Sequence, residues 1–230
     1  MNNMDLAVII ILVLFILAGY RRGLALTILN FSRTILSLFL ASYLYPDVSK
    51  FIRESTGLYN NFKTAIVDNM GLSKVVQDTT LKASTEFINN LTIPEFLKTA
   101  LIANNNPEYY RVLQVDALEG YIAGYISNMI INAISLVVVF AIVYVLMQVL
   151  VNALDLVSKL PVINTFNKLG GSLIGFLQGT LLIWILIVVL VFFFSSPDFA
   201  FIFDMIQQST IAIYFYQTNI ILNFITNVYI

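Results

Sequence analysis

The sequence predicts an all-α, polytopic membrane protein. It has four transmembrane helices, an amphipathic helical insert outside the membrane, and an interfacial or re-entrant helical tail. Three observations carry this reading. Of 230 residues, 59% are apolar and only 11% charged, against about 25% charged in a soluble domain. Four runs are free or nearly free of charge over lengths that suit a bilayer, whose core takes about 20 apolar residues in a helix. Glycines recur every fourth residue in or beside those runs, although each costs a soluble helix roughly 1 kcal/mol relative to alanine.

The first run, residues 6–20, reads LAVIIILVLFILAGY and is slightly short, with Met4 and the preceding amides as an interfacial lead-in. It does not read as a signal peptide, because Asp5 precedes it and Arg21 and Arg22 follow it; a signal peptide carries its positive charge in front. Residues 23–45 hold one charge, Arg33, and residues 120–154 and 170–194 hold none. The expected divisions are residues 1–45 for the first two spans, 46–119 for the insert, 120–195 for the third and fourth spans, and 196–230 for the tail.

Charge in the short loops sets the orientation, since cytoplasmic loops carry excess Lys and Arg. The YRRG turn has two arginines and no acid, and residues 155–169 carry Lys159 and Lys168 against Asp155. Both loops are therefore expected in the cytoplasm, with both termini and the insert outside. Seven basic residues in the insert argue the other way, but it is longer than the roughly 60 residues over which the rule holds.

The insert is polar and punctuated by Gly57, Gly71, Pro94 and Pro107. Thr92 with Glu95 reads as a capping box, and Asn106-Pro107 as a helix start with proline in its first position. Asp116 with Glu119 can cap the third span. Val75, Val76, Leu81, Ile88 and Leu91 suggest short amphipathic helices, either a cap on the membrane surface or a recognition domain. In the tail, Gln207, Gln208, Gln217, Asn219, Asn223 and Asn227 interrupt an apolar stretch. So many amides favour an interfacial or re-entrant hairpin over a fifth span, because unpaired polar groups in hydrocarbon are costly.

The glycines fall into sets four residues apart: Gly19 with Gly23, Gly120 with Gly124, and Gly171 with Gly175 and Gly179. In lipid, helices associate through close van der Waals contact, which small residues permit. The stripe from Gly171 to Gly179 reads as a flat packing face, its partner helix being in this chain or a second copy. Arg33 falls about 15 Å into the bilayer at 1.5 Å per residue. It either faces the protein interior or snorkels from a shallow helix, and Asp155 is a partner only if the third helix is long and tilted. Asn128 with Asn132, and Gln148 with Asn152, form one-face pairs suited to interhelical hydrogen bonds or to a polar path. Arg21, Arg22 and Lys168 read as topology determinants that meet lipid headgroups.

Composition also bounds function. The chain has no cysteine and no histidine, which excludes disulfides, thiolate or imidazole metal sites, a cysteine nucleophile and every histidine-based triad. No cofactor or metal is expected, nor an enzyme, since general acid–base chemistry lacks its usual players. A net charge of -1 without a basic patch points away from nucleic acid. The expected partners are the lipid bilayer and other membrane proteins or a second copy; no small-molecule ligand is readable.

Two stretches resemble a known family. An acidic residue, a short apolar helix, YRRGL and then LSLFLAS near the start, and LPVINTFNKLGGSLIGFLQG later, are similar to the hallmarks of the colicin V production protein (CvpA) family. In the second stretch the motif positions are Pro161, Asn167 and Lys168, the last two ending a short cytoplasmic loop before the glycines. The resemblance covers roughly residues 1–45 and 120–190. It implies a four-span bacterial inner-membrane protein linked to colicin V production and toxin biosynthesis. Some relatives carry a serine-protease domain after the fourth span; the tail here has no such features, so that activity is not carried over. The expected function is a membrane accessory or scaffold protein, with a small-solute transporter or channel as the alternative.

Overall fold

A computed structural model describes residues 2–72, 81–153, 165–191, 193 and 199–227. Among these the chain is helical, with no strand: α1 Asn3–Ser55, α2 Leu58–Met70, α3 Leu81–Asn90, α4 Glu95–Ala103, α5 Pro107–Leu113, α6 Leu118–Ala153, α7 Thr165–Val191, α8 Ala200–Gln207, α9 Ala212–Gln217 and α10 Ile220–Asn227. Three of them, α1, α6 and α7, are long and apolar enough to cross a bilayer. This is the build of a helical membrane protein.

The 53-residue α1 is not one rod. Gly23 breaks it with φ 78° and ψ 171°, a conformation open in practice only to glycine. Contacts with α7 show what the break does. Before it, Gly19 meets Gly171 and Gly175, and Phe15 meets Gly175 and Gly179, so residues 3–22 run antiparallel to α7. After it, Leu24 meets Gly170, and Leu38 shares a small void with Ile185 and Val188, so residues 24–55 run parallel to α7. The two arms of α1 thus fold back on each other at one residue. Arg21 and Arg22 remain helical and exposed, and the turn is Gly23 itself.

Some expected boundaries move. The second arm does not stop at Tyr45; it passes through Pro46 and ends at Ser55. Proline costs that turn one hydrogen bond, but Ser49 and Arg53 beyond it are fastened to Asn132 of α6. α7 starts at Thr165, so Asn167 and Lys168 lie in its first turn rather than in a loop. α4 starts at Glu95 behind Pro94, with no side-chain cap. The Thr92 capping box therefore does not form, because the helix begins two residues later than that pattern requires. Asn106 does cap α5, accepting from the N–H groups of Glu108 and Tyr109, with Pro107 in the first position. Val75, Val76, Asp155, Lys159 and Pro161 lie outside the described residues.

α6 runs back along the second arm, with Tyr144 at Arg33 and Asn132 at Ser49. Its first half is buried under the short helices. Tyr110 of α5 stacks on Tyr121 at 4.9 Å, Tyr121 donates to Leu101 O at 2.7 Å, and Tyr125 donates to Thr226 O at 2.8 Å. Burial pushes the Tyr110 phenol above its usual range, and burial pushes Tyr216 of α9 up more strongly. The second half of α6 exposes Val138, Ile142, Val145, Leu146, Val149 and Leu150, a face fit for lipid.

Each tail helix has eight residues or fewer, too short to span. One tail amide finds its partners inside the fold. Buried Asn219 donates to Trp184 O at 3.0 Å and accepts from Leu222 N at 2.9 Å.

Candidate functional site

The densest sequence-specific feature is the contact between the first arm of α1 and α7. A methyl built on Gly171 would overlap Gly19 O and lie 2.8 Å from Gly23 C. One on Gly175 would overlap Phe15 O and lie 3.4 Å from Gly19 Cα, and one on Gly19 would overlap Gly171 O. The neighbours are backbone atoms that cannot swing aside. Gly179 is looser, with Phe15 Cβ at 3.2 Å and Leu12 Cδ2 at 3.3 Å. The partner of the α7 stripe is thus a helix of the same chain, joined to it with almost no side chain between. Gly120 and Gly124 lie elsewhere: they face Val115, and Tyr59 with Leu113, so they meet the insert rather than another long helix.

The same face explains Asn167. Reversal at Gly23 leaves the first N–H groups of the second arm without intrahelical partners. Asn167 Oδ1 accepts from Leu24 N at 2.7 Å and Ala25 N at 3.3 Å. It caps one helix from the first turn of another. Thr27 ties the turn from the other side, donating to Gly23 O at 2.6 Å. Lys168 Nζ stands 5.6 Å from the Tyr20 ring centroid, near Arg21, so these motif residues gather at one end of the bundle. No spacing rule could have shown the Asn167 cap, since it joins residues 143 positions apart.

At the opposite end a second fastening ties the N-terminus to the tail. Asn2 caps α1, and Asp5 reaches back to Asn2 N at 3.0 Å. Asp5 is fully buried. It accepts from Ser209 Oγ and, at 2.7 Å, from Ile211 N, while Asn2 Nδ2 donates to Met205 O. In the sequence Asp5 signified only the direction of the first span. Its partners lie in the tail, whose pattern gave no sign of them.

The polar residues expected within the membrane lie on the second arm of α1 and on α6. Arg33 is buried, donates to the Tyr144 hydroxyl and stands with its guanidinium carbon 4.4 Å over that ring. Asn132 Oδ1 accepts from Ser49 Oγ and, at 3.1 Å, from Arg53. Asn128 does not share this cluster; its Oδ1 is buried without a partner among the described residues. Gln148 and Asn152 bond to each other at 2.7 Å within α6, and among the described residues neither bonds to a second helix. They are one turn apart on α6. Among the described residues no cluster of acidic side chains could hold a metal ion.

The family model described as Colicin V production protein matches residues 4–88 and 110–219. No curated protein and no solved structure matches the chain. The match reaches past both stretches on which the resemblance rested, through α2, from within α5 onward, and into the tail as far as Asn219. It therefore spans the glycine face, the Asn167 cap and the Asp5 fastening together, and this chain belongs to the colicin V production protein family.

Proposed function

We propose that this protein is an accessory or scaffold protein of the bacterial inner membrane that supports colicin V production and envelope homeostasis without catalysing a reaction. The observation that carries the reading is backbone-to-backbone packing of α1 on α7, which locks these two helices together in a bundle whose insert and tail helices gather at one end. A tightly packed helix pair that carries a helical surface suits the holding of a partner. The absence of cysteine and histidine from the sequence agrees with a non-catalytic role.

In this reading each arm of α1 crosses the membrane separately, giving four crossings with α6 and α7. The end that carries Arg21, Arg22 and Lys168 faces the cytoplasm, and the insert, both termini and the tail lie outside. The partners are lipid and either another membrane protein or a second copy. Crosslinking and pull-down from native membranes, with the crosslinker placed at residue 60 or 100, tests the role: a specific, stoichiometric partner is expected. Recovery of the chain without any such partner would count against it. Impermeant thiol labelling tests the topology. Cysteines at 60, 100 and 200 should label in intact cells and one at 165 should not; labelling of 165 overturns the orientation.

A further inference from the structure

The second arm of α1 carries Arg33, Ser37, Ala41, Tyr45, Ser49 and Arg53, each four residues from the next. The first five are buried and Arg53 is half-buried. At 1.5 Å per residue the stripe is about 30 Å long, the thickness of a bilayer core. It holds two guanidinium groups and no carboxylate.

Its ends are fastened to α6 and its middle is not. Arg33 bonds to Tyr144 at one end, and Arg53 donates to Ser49 Oγ at 2.6 Å and to Asn132 Oδ1 at 3.1 Å at the other. Between and beside them Arg33 Nε, Ser37 Oγ, Tyr45 OH and, on α6, Ser135 Oγ are buried without a hydrogen-bond partner among the described residues. Native proteins leave few such groups, and in hydrocarbon they are especially costly. All four can donate, and Arg Nε can only donate. Open donors beside fixed positive charge suit an anion; a cation would meet two guanidinium groups.

We infer that this stripe is a route by which small inorganic anions enter the membrane, with Arg53 at its mouth near the insert and Arg33 as its inner station. The cluster of Leu38, Leu136 and Phe140 beside it leaves a void of only about 10 Å³, so passage requires α6 to shift against the second arm. The inference is independent of the accessory role and can fail without touching it.

The test uses the purified full chain in liposomes loaded with a halide-quenched dye. Iodide should enter faster than into protein-free liposomes, while a potassium-sensitive dye reports no matching cation entry. Arg33→Lys should keep much of the influx and Arg33→Gln should lose most of it. Tyr45→Phe removes one hydroxyl at nearly constant shape and should slow influx several-fold, which keeps the test decisive if Arg33→Gln does not fold. Iodide entry equal to that of protein-free liposomes overturns the inference. So does influx unchanged in Tyr45→Phe.

Discussion

The two arms of α1 share one sequence run and one neighbourhood, yet they join their partners in opposite ways. The first arm meets α7 through glycine, with carbonyl oxygens and Cα atoms where side chains would normally stand. The second meets α6 through long polar side chains, Arg33 to Tyr144 and Ser49 and Arg53 to Asn132. Apolar burial separates the two modes poorly, because lipid is as apolar as another helix. What remains is contact distance in one case and hydrogen bonding in the other. A backbone contact tolerates no added atom, whereas a hydrogen-bonded contact loses only the bond removed.

The largest effect should therefore come from Gly175→Leu. Its side chain has only the Phe15 carbonyl and Gly19 to enter, and overpacking costs about 1–3 kcal/mol, occasionally more. Melting in detergent should fall steeply. Even Gly175→Ala should melt below wild type, since its single methyl already overlaps a backbone oxygen. The matched control is Leu177→Ala, at a residue 41% exposed, which should stay within about 0.5 kcal/mol. A Gly175→Leu protein that melts like wild type breaks the comparison.

Asn167→Ala comes next. It leaves the Leu24 and Ala25 N–H groups without their acceptor, and loss of such a cap costs about 0.5–2 kcal/mol. Asn167→Asp keeps an acceptor oxygen and should recover most of the melting temperature. Equal loss in both variants would mean that the amide acts otherwise than as a cap.

On the hydrogen-bonded side, Asn132→Leu removes the acceptor shared by Ser49 and Arg53. Interhelical hydrogen bonds in membranes average about 0.6 kcal/mol each, so the loss should be about 1 kcal/mol. A loss as large as that of Gly175→Leu would remove the distinction between the two modes.

The smallest effect is one of pH and is confined to the insert and tail. Burial raises the phenol pKa of Tyr110 and Tyr216, and of Tyr59 despite the opposing pull of Arg53. Unfolded phenols ionise near about 10, so the folded form holds these protons longer. Stability is then unchanged below that pH and falls as pH rises beyond it. Limited proteolysis should cut the insert increasingly above pH of about 10, while the α1–α7 pairing holds. Alkaline melting of both regions together would contradict this.

The sequence by itself determined the solvent. Low charge and long apolar runs are additive properties, readable without knowing any contact, and they fixed a helical membrane protein. Glycine spacing likewise marked the α7 face, because a period of four needs only helix geometry to become a stripe. It could not say which helix fills that face. That depended on Gly23, whose positive φ reverses the chain and brings Gly19 against Gly171. Three pairings were decided only by the tertiary structure: Asn167 capping Leu24, Asp5 holding Ser209 and Ile211, and Tyr144 covering Arg33. Each joins residues more than a hundred positions apart. A hydrogen bond requires donor and acceptor within about 3 Å, and no local pattern encodes a distance between separate helices. The buried stripe from Arg33 to Arg53 shows the same limit: its spacing was present in the sequence, but the partners of its two ends were set by the packing of α6.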